Sequence, residues 1–138
     1  MKIDLFNIYD EKDVVDNIKN TYISKSGVHG RGLFTESVIE KNTVLCNLEG
    51  QVIPYDVYEK YGFIMEWNAI TEDSLLIRTL RTKYSYINHS REPNLMIKYN
   101  PIRIVAMTDI DIGTELFLDY RKEPLNKKYI DKKGKNYL

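Results

Sequence analysis

The chain has few of the residues that build covalent or metal-based scaffolds. Of its 138 residues, Cys46 is the single cysteine, and His29 and His89 are the two histidines. One cysteine excludes an internal disulfide and a four-cysteine zinc site, and it is typical of a reducing, intracellular compartment. Two histidines with scattered acidic residues make a weak set of metal ligands. We therefore expect a protein that works without a metal ion.

Long apolar runs are missing as well. No stretch approaches the ~20 apolar residues of a membrane span, and the N-terminal MKIDLFNIYDEKD lacks the pattern of a secretion signal. The length is that of one domain with a real hydrophobic core. We expect a soluble, intracellular protein without membrane contact, cytoplasmic or else nuclear and associated with chromatin, acting as a monomer or homodimer.

Net charge is zero, but the charges are unevenly distributed. Residues 1–20 carry five acidic and three basic side chains, a net charge of −2, whereas residues 121–138 carry seven basic and two acidic ones, a net charge of +5. The body between them is left with −3. An acidic body favours a basic peptide partner, and it argues against direct nucleic-acid binding, which requires a basic stripe on the folded surface. A basic tail by itself is typical of a solvated chain end.

Short apolar segments separated by turn residues predict a mainly β domain. The candidate strands span residues 21–26, 31–37, 43–50, 63–67, 74–80, 94–99, 102–107 and 114–120. The segments between them are rich in Gly, Pro, Asn and Asp, which favour turns. The stretch PYDVYEKYG predicts a short helix, because proline is favoured at the first helical position and glycine at the end. Residues 10–20 are also compatible with a helix.

Three polar segments lie at the ends of these strands. In the first, Gly30 and Gly32 flank Arg31. The glycines indicate either a turn with positive φ or a stretch of bare backbone against which a ligand lies. The third glycine and the following helix of a dinucleotide-binding fold are missing, so that class is excluded.

The second polar segment is Asn88-His89-Ser90, and the third is ELFLDY, which ends at Tyr120. Asn88 and His89 are compatible with local turn bonds and a core imidazole, or with a chemical role. Ser90 does not lie in a nucleophile-elbow pattern, so a serine hydrolase is disfavoured. Tyr120 ends an alternating strand and is either a core residue or a hydroxyl that emerges at a pocket.

In this order, the three segments resemble the SET-domain family of protein-lysine methyltransferases. That family has a G-x-G, an N-H-S-x-x-P-N and an E-L-x-x-D-Y segment, which stand here at residues 30–32, 88–94 and 115–120. The resemblance covers residues 21–120. It leaves residues 1–20 as an N-terminal extension and residues 121–138 as a basic C-terminal segment.

The resemblance implies a mainly β, β-clip-like fold of several small curled sheets, with the C-terminal segment forming a pseudoknot beneath the NHS loop. It implies S-adenosylmethionine as methyl donor and a lysine in a basic protein, such as a histone, as acceptor. Tyr120 would be the catalytic residue. The residues implied to bind the donor are His29, Gly30, Arg31, Gly32, Asn88, His89 and Tyr120.

The chain departs from the family pattern in the lysine channel. Leu48 and Leu118 stand where the family often has aromatic residues, and the zinc-binding cysteines that follow in many members are absent. The C-terminal segment would then close the active site, with Tyr129 as a channel residue. Two alternatives remain open at this point. One is a peptide-binding module of the same fold without catalysis, and the other is a structural β domain without a small ligand.

Overall fold

The structure is a computed structural model that describes residues 11–61 and 65–138. These two ranges contain short strands, two short α-helices and several 3-10 turns. The strands are β1 (Thr21–Lys25), β2 (Arg31–Thr35), β3 (Val44–Asn47), β4 (Gln51–Pro54), β5 (Glu66–Thr71), β6 (Ser74–Arg78), β7 (Asn88–His89), β8 (Leu95–Lys98), β9 (Arg103–Ala106) and β10 (Phe117–Leu118). The helices are α1 (Tyr55–Tyr61) and α2 (Lys127–Lys132).

The strands form four small sheets, as the mainly β prediction requires. Strands β1 and β2 make an antiparallel hairpin, and two three-stranded antiparallel sheets have the orders β3-β9-β8 and β4-β6-β5. The fourth sheet pairs β7 with β10 in parallel, with Asn88 opposite Phe117 and His89 opposite Leu118. The ELFLDY segment therefore pairs directly with the NHS segment, consistent with the expected fold.

The last predicted strand is much shorter than expected. Of residues 114–120, strand β10 contains two, Phe117 and Leu118. Glu115 instead forms an isolated bridge with Phe34, and the Leu116 N–H donates to the carbonyl of Leu33 at 2.8 Å. The segment thus pairs first with β2 and then with β7. This change of partner breaks the continuous ladder that the alternating pattern predicts.

Three other predicted features differ from the structure or lie partly outside the described residues. The helix near residues 10–20 is wrong for residues 11–20, where a 3-10 turn at Glu11–Asp13 is followed by a bridge from Val15 to Thr82. The Val15 N–H donates to Arg81, so its backbone bonds go across the fold and not along a helix. Of the strand predicted at 63–67, residues 63 and 64 lie outside the described residues, as does Gly62 at the end of the predicted helix; β5 begins at Glu66.

Two hydrophobic clusters hold these sheets together. The first core combines residues from β2, β6, β8 and β9 with the segments around β7 and β10; its members are Ile18, Leu33, Ile39, Leu48, Leu76, Tyr84, Tyr86, Ile87, Leu95, Ile104, Ala106, Ile110, Leu116 and Leu118. The second core lies on the β4-β6-β5 sheet and consists of Tyr55, Ala69, Leu75, Ile77, Leu125 and Tyr129. The C-terminal segment is therefore packed against the body and is not a solvated end.

Candidate active site

The first hairpin presents open backbone at its turn. Gly30 has a φ of +51°, in the left-handed region where a side chain is strained, and the Ser26 N–H donates to its carbonyl at 2.8 Å. A Cβ added at Gly30 would meet no atom within 4 Å. Arg31 points its guanidinium outward to Glu11, with two hydrogen bonds of 2.7 and 3.0 Å. The surface of this turn therefore exposes main-chain groups more than side chains.

Asn88 ties the NHS segment to this hairpin. Its side-chain amide donates to the carbonyls of His29 and Arg31, both at 3.0 Å, and to Oε2 of Glu115 at 3.2 Å. One polar side chain thus joins all three of the segments that the sequence singles out. The roles of Asn88 and the G-R-G backbone in donor binding stay predictions.

Glu115 joins these segments in the structure, and sequence reasoning did not single it out. Its carboxylate accepts from the Ser26 hydroxyl at 2.7 Å, from the Gly27 N–H at 3.2 Å and from Asn88. A Cβ at Gly32 would lie 2.5 Å from Oε2 of Glu115, so a side chain there would displace the Glu115 carboxylate from its present position. The one available signal was a carboxylate in the alternating ELFLDY strand, buried here at 9% exposure.

Asn94 closes the crossing from the other end of the loop. Its side-chain amide donates to the carbonyl of Glu115 at 2.8 Å, and its Oδ1 accepts from the Phe117 N–H at 2.8 Å. The Ser90 N–H donates to the carbonyl of Leu118 at 2.9 Å. These bonds explain why the segment ends in Pro-Asn, because the amide replaces a backbone partner on the crossing strand.

His89 positions Tyr120. The Tyr120 N–H donates to Nδ1 of His89 at 3.0 Å, and the two rings lie 5.2 Å apart. An imidazole nitrogen that accepts an N–H carries no proton, so the neutral ring is protonated on Nε2. Burial lowers the pKa of His89, although Asp119, at 3.8 Å from Nδ1, acts in the opposite direction. His89 therefore works here as a neutral hydrogen-bond acceptor.

Asp119 turns the chain away from the strand at this point. Its carboxylate accepts from the backbone N–H of Arg121 at 3.1 Å and caps the 3-10 turn of residues 120–122. The Arg121 guanidinium binds the same carboxylate at 2.9 and 2.7 Å, and this pairing lowers the pKa of Asp119 to about 2. The carboxylate stays charged at neutral pH, so the turn that presents Tyr120 is held firmly.

Tyr120 lies between the two cores. Its hydroxyl donates to the carbonyl of Ile87, and its ring packs edge-to-face on Tyr137 with centroids 6.3 Å apart. Burial raises the pKa of Tyr120 well above its usual value, and the charges of Glu123 and Tyr137 add to this effect. The hydroxyl is therefore neutral, with its proton committed to Ile87 and its oxygen lone pairs left as acceptors.

The three predicted channel residues are divided between the two cores. Leu48 and Leu118 are 5% and 2% exposed and belong to the first core, against which Tyr120 also packs. Tyr129 belongs to the second core, where it contacts the Trp67 ring edge-on at 5.0 Å. The Tyr129 hydroxyl is hydrogen-bonded to that of Tyr137, which in turn packs on Tyr120. The role of these residues in a channel stays a prediction.

The C-terminal segment is attached at both of its ends. Asn126 caps α2 and donates through its amide to the carbonyl of Glu72 at 2.6 Å. Arg91 of the NHS loop donates to the carbonyl of Leu138 at 3.1 Å. Helix α2 begins after Asn126, because the Asn126 side chain accepts a hydrogen bond from the Lys128 N–H at 2.9 Å.

Comparison with known proteins adds evidence on the family. The family model described as "SET domain" matches residues 30–121. This chain belongs to the SET-domain family. The match includes Gly30, Asn88 and Tyr120 and ends at Arg121, so the contacts made by residues 122–138 lie outside it.

Three relatives carry the same domain in much longer proteins. The chain is 32% identical to the histone-lysine N-methyltransferase MEDEA of Arabidopsis thaliana, over 74% of this chain and 17% of MEDEA. It is 30% identical to the histone-lysine N-methyltransferase CLF of Oryza sativa subsp. japonica, over 74% of this chain and 13% of the relative. It is 31% identical to the histone-lysine N-methyltransferase trr of Drosophila melanogaster, over 74% of this chain and 5% of trr. The SET domain described here thus spans less than a fifth of each relative.

Two negative findings apply to the described part of the chain. Within residues 11–61 and 65–138, no three or more His, Cys, Asp or Glu side chains are grouped so that they could hold a metal ion. In the same two ranges, no helix has the length and apolar character needed to cross a lipid bilayer.

Proposed function

We propose that this SET domain transfers the methyl group of S-adenosylmethionine to the side-chain amine of a lysine in a protein. The observation that carries the proposal is the hydrogen bonding of Asn88. Its amide joins the backbone of His29 and Arg31 to Glu115, on the segment that leads to Tyr120. The three segments that would bind the donor and orient the lysine therefore lie against one another.

The surface around the first hairpin fits a donor that binds along the main chain. A Cβ at Gly27 or Gly30 would meet nothing within 4 Å, so the backbone there is open. Oδ1 of Asn88 accepts no hydrogen bond from the described residues and is available to an ammonium group. When bound, the donor supplies an electrophilic methyl group on a positively charged sulfur. We assign its binding to His29, Gly30, Arg31, Gly32, Asn88, His89 and Tyr120.

Tyr120 is the catalytic residue of this proposal. A lysine amine has an ordinary pKa of about 10.4 and must lose its proton before nitrogen can attack a methyl group. The lone pairs of the Tyr120 hydroxyl can accept an N–H of the neutral amine, which fixes the direction of the nitrogen lone pair. Holding the two reacting atoms in line is the main task of the protein in such a displacement. No metal is needed for this chemistry.

Leu48 and Leu118 line the lysine channel in this proposal, with Tyr129 on the opposite side. The leucines supply apolar walls that favour the neutral amine over the ammonium form. Tyr129 acts through its hydrogen bond to Tyr137, whose ring covers Tyr120. The C-terminal segment thereby closes the site without zinc.

We propose a basic protein as the substrate, with histones as the first class to test. The three relatives are named as histone-lysine N-methyltransferases, and the body of this chain, residues 21–120, carries a net charge of −3. An acidic surface attracts a basic segment and speeds its association. The protein would act as a monomer or homodimer, in the nucleus with a histone substrate or in the cytoplasm with another basic protein.

Two measurements test the proposal. Calorimetry should detect binding of S-adenosylmethionine and of its demethylated product, and labelled donor should transfer its methyl group to lysines of core histones or basic peptides. Tyr120→Phe should retain donor binding and lose most of the transfer. No donor binding at about millimolar concentration would overturn the proposal.

A peptide-binding module without catalysis is the second candidate. Leu48 and Leu118 favour it, because neither side chain carries a hydroxyl that could hold the amine. Peptide binding without any methyl transfer at saturating donor concentration would establish this function instead.

A further inference from the structure

A partly buried carboxylate follows Tyr120 and lies outside the family match. The Glu123 N–H donates to the carbonyl of Tyr120 at 3.2 Å, so the two residues belong to the same turn. Oε1 of Glu123 accepts from the Asn68 side-chain amide and from the Ala69 N–H, both at 3.2 Å. Asn68 is 0% exposed. The carboxyl group is therefore held in one position against β5.

Glu123 has no cationic partner among the described residues. Arg78 binds Oδ1 of Asn68 at 2.5 Å, but it is paired with Glu66 at 2.5 Å. One guanidinium thus stands beside two carboxylates, and ionised Glu123 leaves an uncompensated negative charge, which is costly in a buried cluster. Oε2 of Glu123 accepts no hydrogen bond from residues 11–61 or 65–138, and Glu123 is half-buried rather than buried. The site is therefore suited to an incoming cation.

Four tyrosines lie near enough to this carboxylate for its charge to act on them. The Tyr99 hydroxyl donates to the carbonyl of Ala69 at 3.3 Å, beside the N–H that holds Glu123. Burial, and then the charge of Glu123, raises the pKa of each of four tyrosines; these are Tyr84, Tyr99, Tyr120 and Tyr137. A carboxylate next to neutral aromatic rings binds an ammonium group through charge, hydrogen bonding and the ring faces.

We propose that Glu123 receives the ammonium group of the substrate lysine on Oε2 and takes its proton. The inference rests on the proposed function, since the expected cation is the lysine that Tyr120 orients. In this step an N–H bond of the ammonium breaks and an O–H bond forms on Oε2, which leaves a neutral amine with a free lone pair and a neutral carboxylic acid. The acid returns its proton to water when the methylated lysine leaves.

The acidity of Glu123 suits this exchange. Burial raises the pKa of Glu123 to about 7, against the opposing effects of the Asn68 amide, the Ala69 N–H and the charge of Arg78. A base with a pKa near the working pH is the most effective in proton transfer. The charged and titratable groups that act on Glu123 or respond to its charge are Arg78 on β6, Tyr84 before β7, Tyr99 after β8, Tyr120 on its own turn and Tyr137 in the C-terminal segment. The tyrosines, with raised pKa values, stay neutral there.

The first experiment measures recognition of the cation without the donor. Tail peptides of the core histones are titrated against the protein by fluorescence anisotropy, each with its lysines intact or replaced by norleucine. The wild type should prefer the lysine peptides by about tenfold or more at pH 8. Glu123→Gln keeps an oxygen for Asn68 and Ala69 but loses the charge, so the preference should disappear. Glu92→Gln removes an exposed charge of the NHS loop, and this variant should keep the preference for lysine peptides.

An equal lysine preference in Glu123→Gln and the wild type would overturn the inference. Circular dichroism confirms that the variant is folded. Glu123→Asp restores the charge on a shorter side chain, so it should recover part of the preference, whereas a merely structural role for Glu123 predicts no such recovery.

The second experiment follows methyl transfer against pH. Turnover of the wild type should rise to a plateau with a midpoint near pH 7, while Glu123→Gln should lack this step and be about 100-fold slower. Calorimetry should show the same donor affinity for both proteins. An unchanged pH profile in the variant would sink the inference and leave the proposed function intact. A wild type that binds no donor would end the proposed function, and the peptide comparison would still decide the role of Glu123.

Discussion

The two sides of the candidate site are built in different ways. On the hairpin side, Asn88 and Glu115 bind main-chain groups of His29, Arg31 and Gly27, and Asn88, Glu115 and Arg31 lie within the family match. On the tail side, several contacts join two side chains, as Tyr129 with Tyr137 and Glu123 with Asn68. Glu123 and Asn126 also bind main-chain groups there. Backbone groups are the same in every residue, whereas a ring or a carboxylate is lost with one substitution.

This difference predicts that the two sides respond differently to substitution. The hairpin side tolerates change, because its hydrogen bonds need a few polar residues and an open backbone. The tail residues that follow Arg121 lie beyond the family match. We therefore expect changes on the tail side to affect lysine recognition first, and changes on the hairpin side to affect donor binding and stability.

Deletion of residues 122–138 should produce the largest effect. It removes Leu125 and Tyr129 from the second core and Tyr137 from the ring of Tyr120. Methyl transfer should fall below detection and the melting temperature should drop, while the first core and donor binding persist. Labelled-donor assays, calorimetry and circular dichroism measure these quantities. Lys128→Ala, in an exposed position of α2, is the matched control; unchanged turnover in the deletion would show that the tail does not close the site.

Tyr120→Phe tests the point where the two sides meet. The change removes the hydroxyl that donates to Ile87 and keeps the ring against His89 and Tyr137. Turnover should fall by about two to three orders of magnitude, as for loss of one preorganised group, while stability changes by about 1 kcal/mol. Tyr22→Phe, with its ring stacked on Phe34 at the surface, should leave turnover unchanged. Near-normal turnover of the Tyr120 variant would remove it from catalysis.

The pH dependence of stability probes the tail side without substrate. The pKa of Glu123 is raised on folding from 4.5 to about 7. The stability that the folded protein has with a neutral Glu123 carboxyl group is therefore fully present below pH 4.5 and is lost as the pH rises to 7. The loss is of the order of 3 kcal/mol, from ~1.4 kcal/mol for each pKa unit. Denaturant titrations should show that the wild type loses this much more than Glu123→Gln between these pH values. Parallel curves for the two proteins would mean that the carboxyl group is not desolvated.

The smallest expected effect comes from substituting two glycines of the first hairpin, Gly32 and Gly27. A Cβ at Gly32 would lie 2.5 Å from Oε2 of Glu115, whereas one at Gly27 would meet nothing within 4 Å. Gly32→Ala should cost about 1–3 kcal/mol in unfolding free energy and weaken donor binding, because Glu115 must move away from Asn88. Gly27→Ala should change both quantities little. Equal effects in thermal melts and calorimetry would show that the Glu115 contact is not important.

Sequence reasoning recovered the mainly β class, the helix α1 and the order of the three polar segments. Motifs are read from neighbouring residues, so Asn88, Pro93-Asn94 and Tyr120 could be singled out without coordinates. Their family relation follows from the same residues. The ends of the strands were harder to predict: β10 covers two of its seven predicted residues, because the chain changes partners at Glu115.

The sequence by itself determined the family of this SET domain and the residues proposed to carry its chemistry, since residue type and spacing are local properties. Tertiary structure alone decided which of them meet. Ser26 binds Glu115 across 89 positions of the chain, and Asn68 binds Glu123 across 55. Tyr137 reaches Tyr120 because the C-terminal segment packs on the second core. Such partners are selected by the packing of whole sheets and the satisfaction of buried polar groups, and neither leaves a periodic signal in the residues themselves.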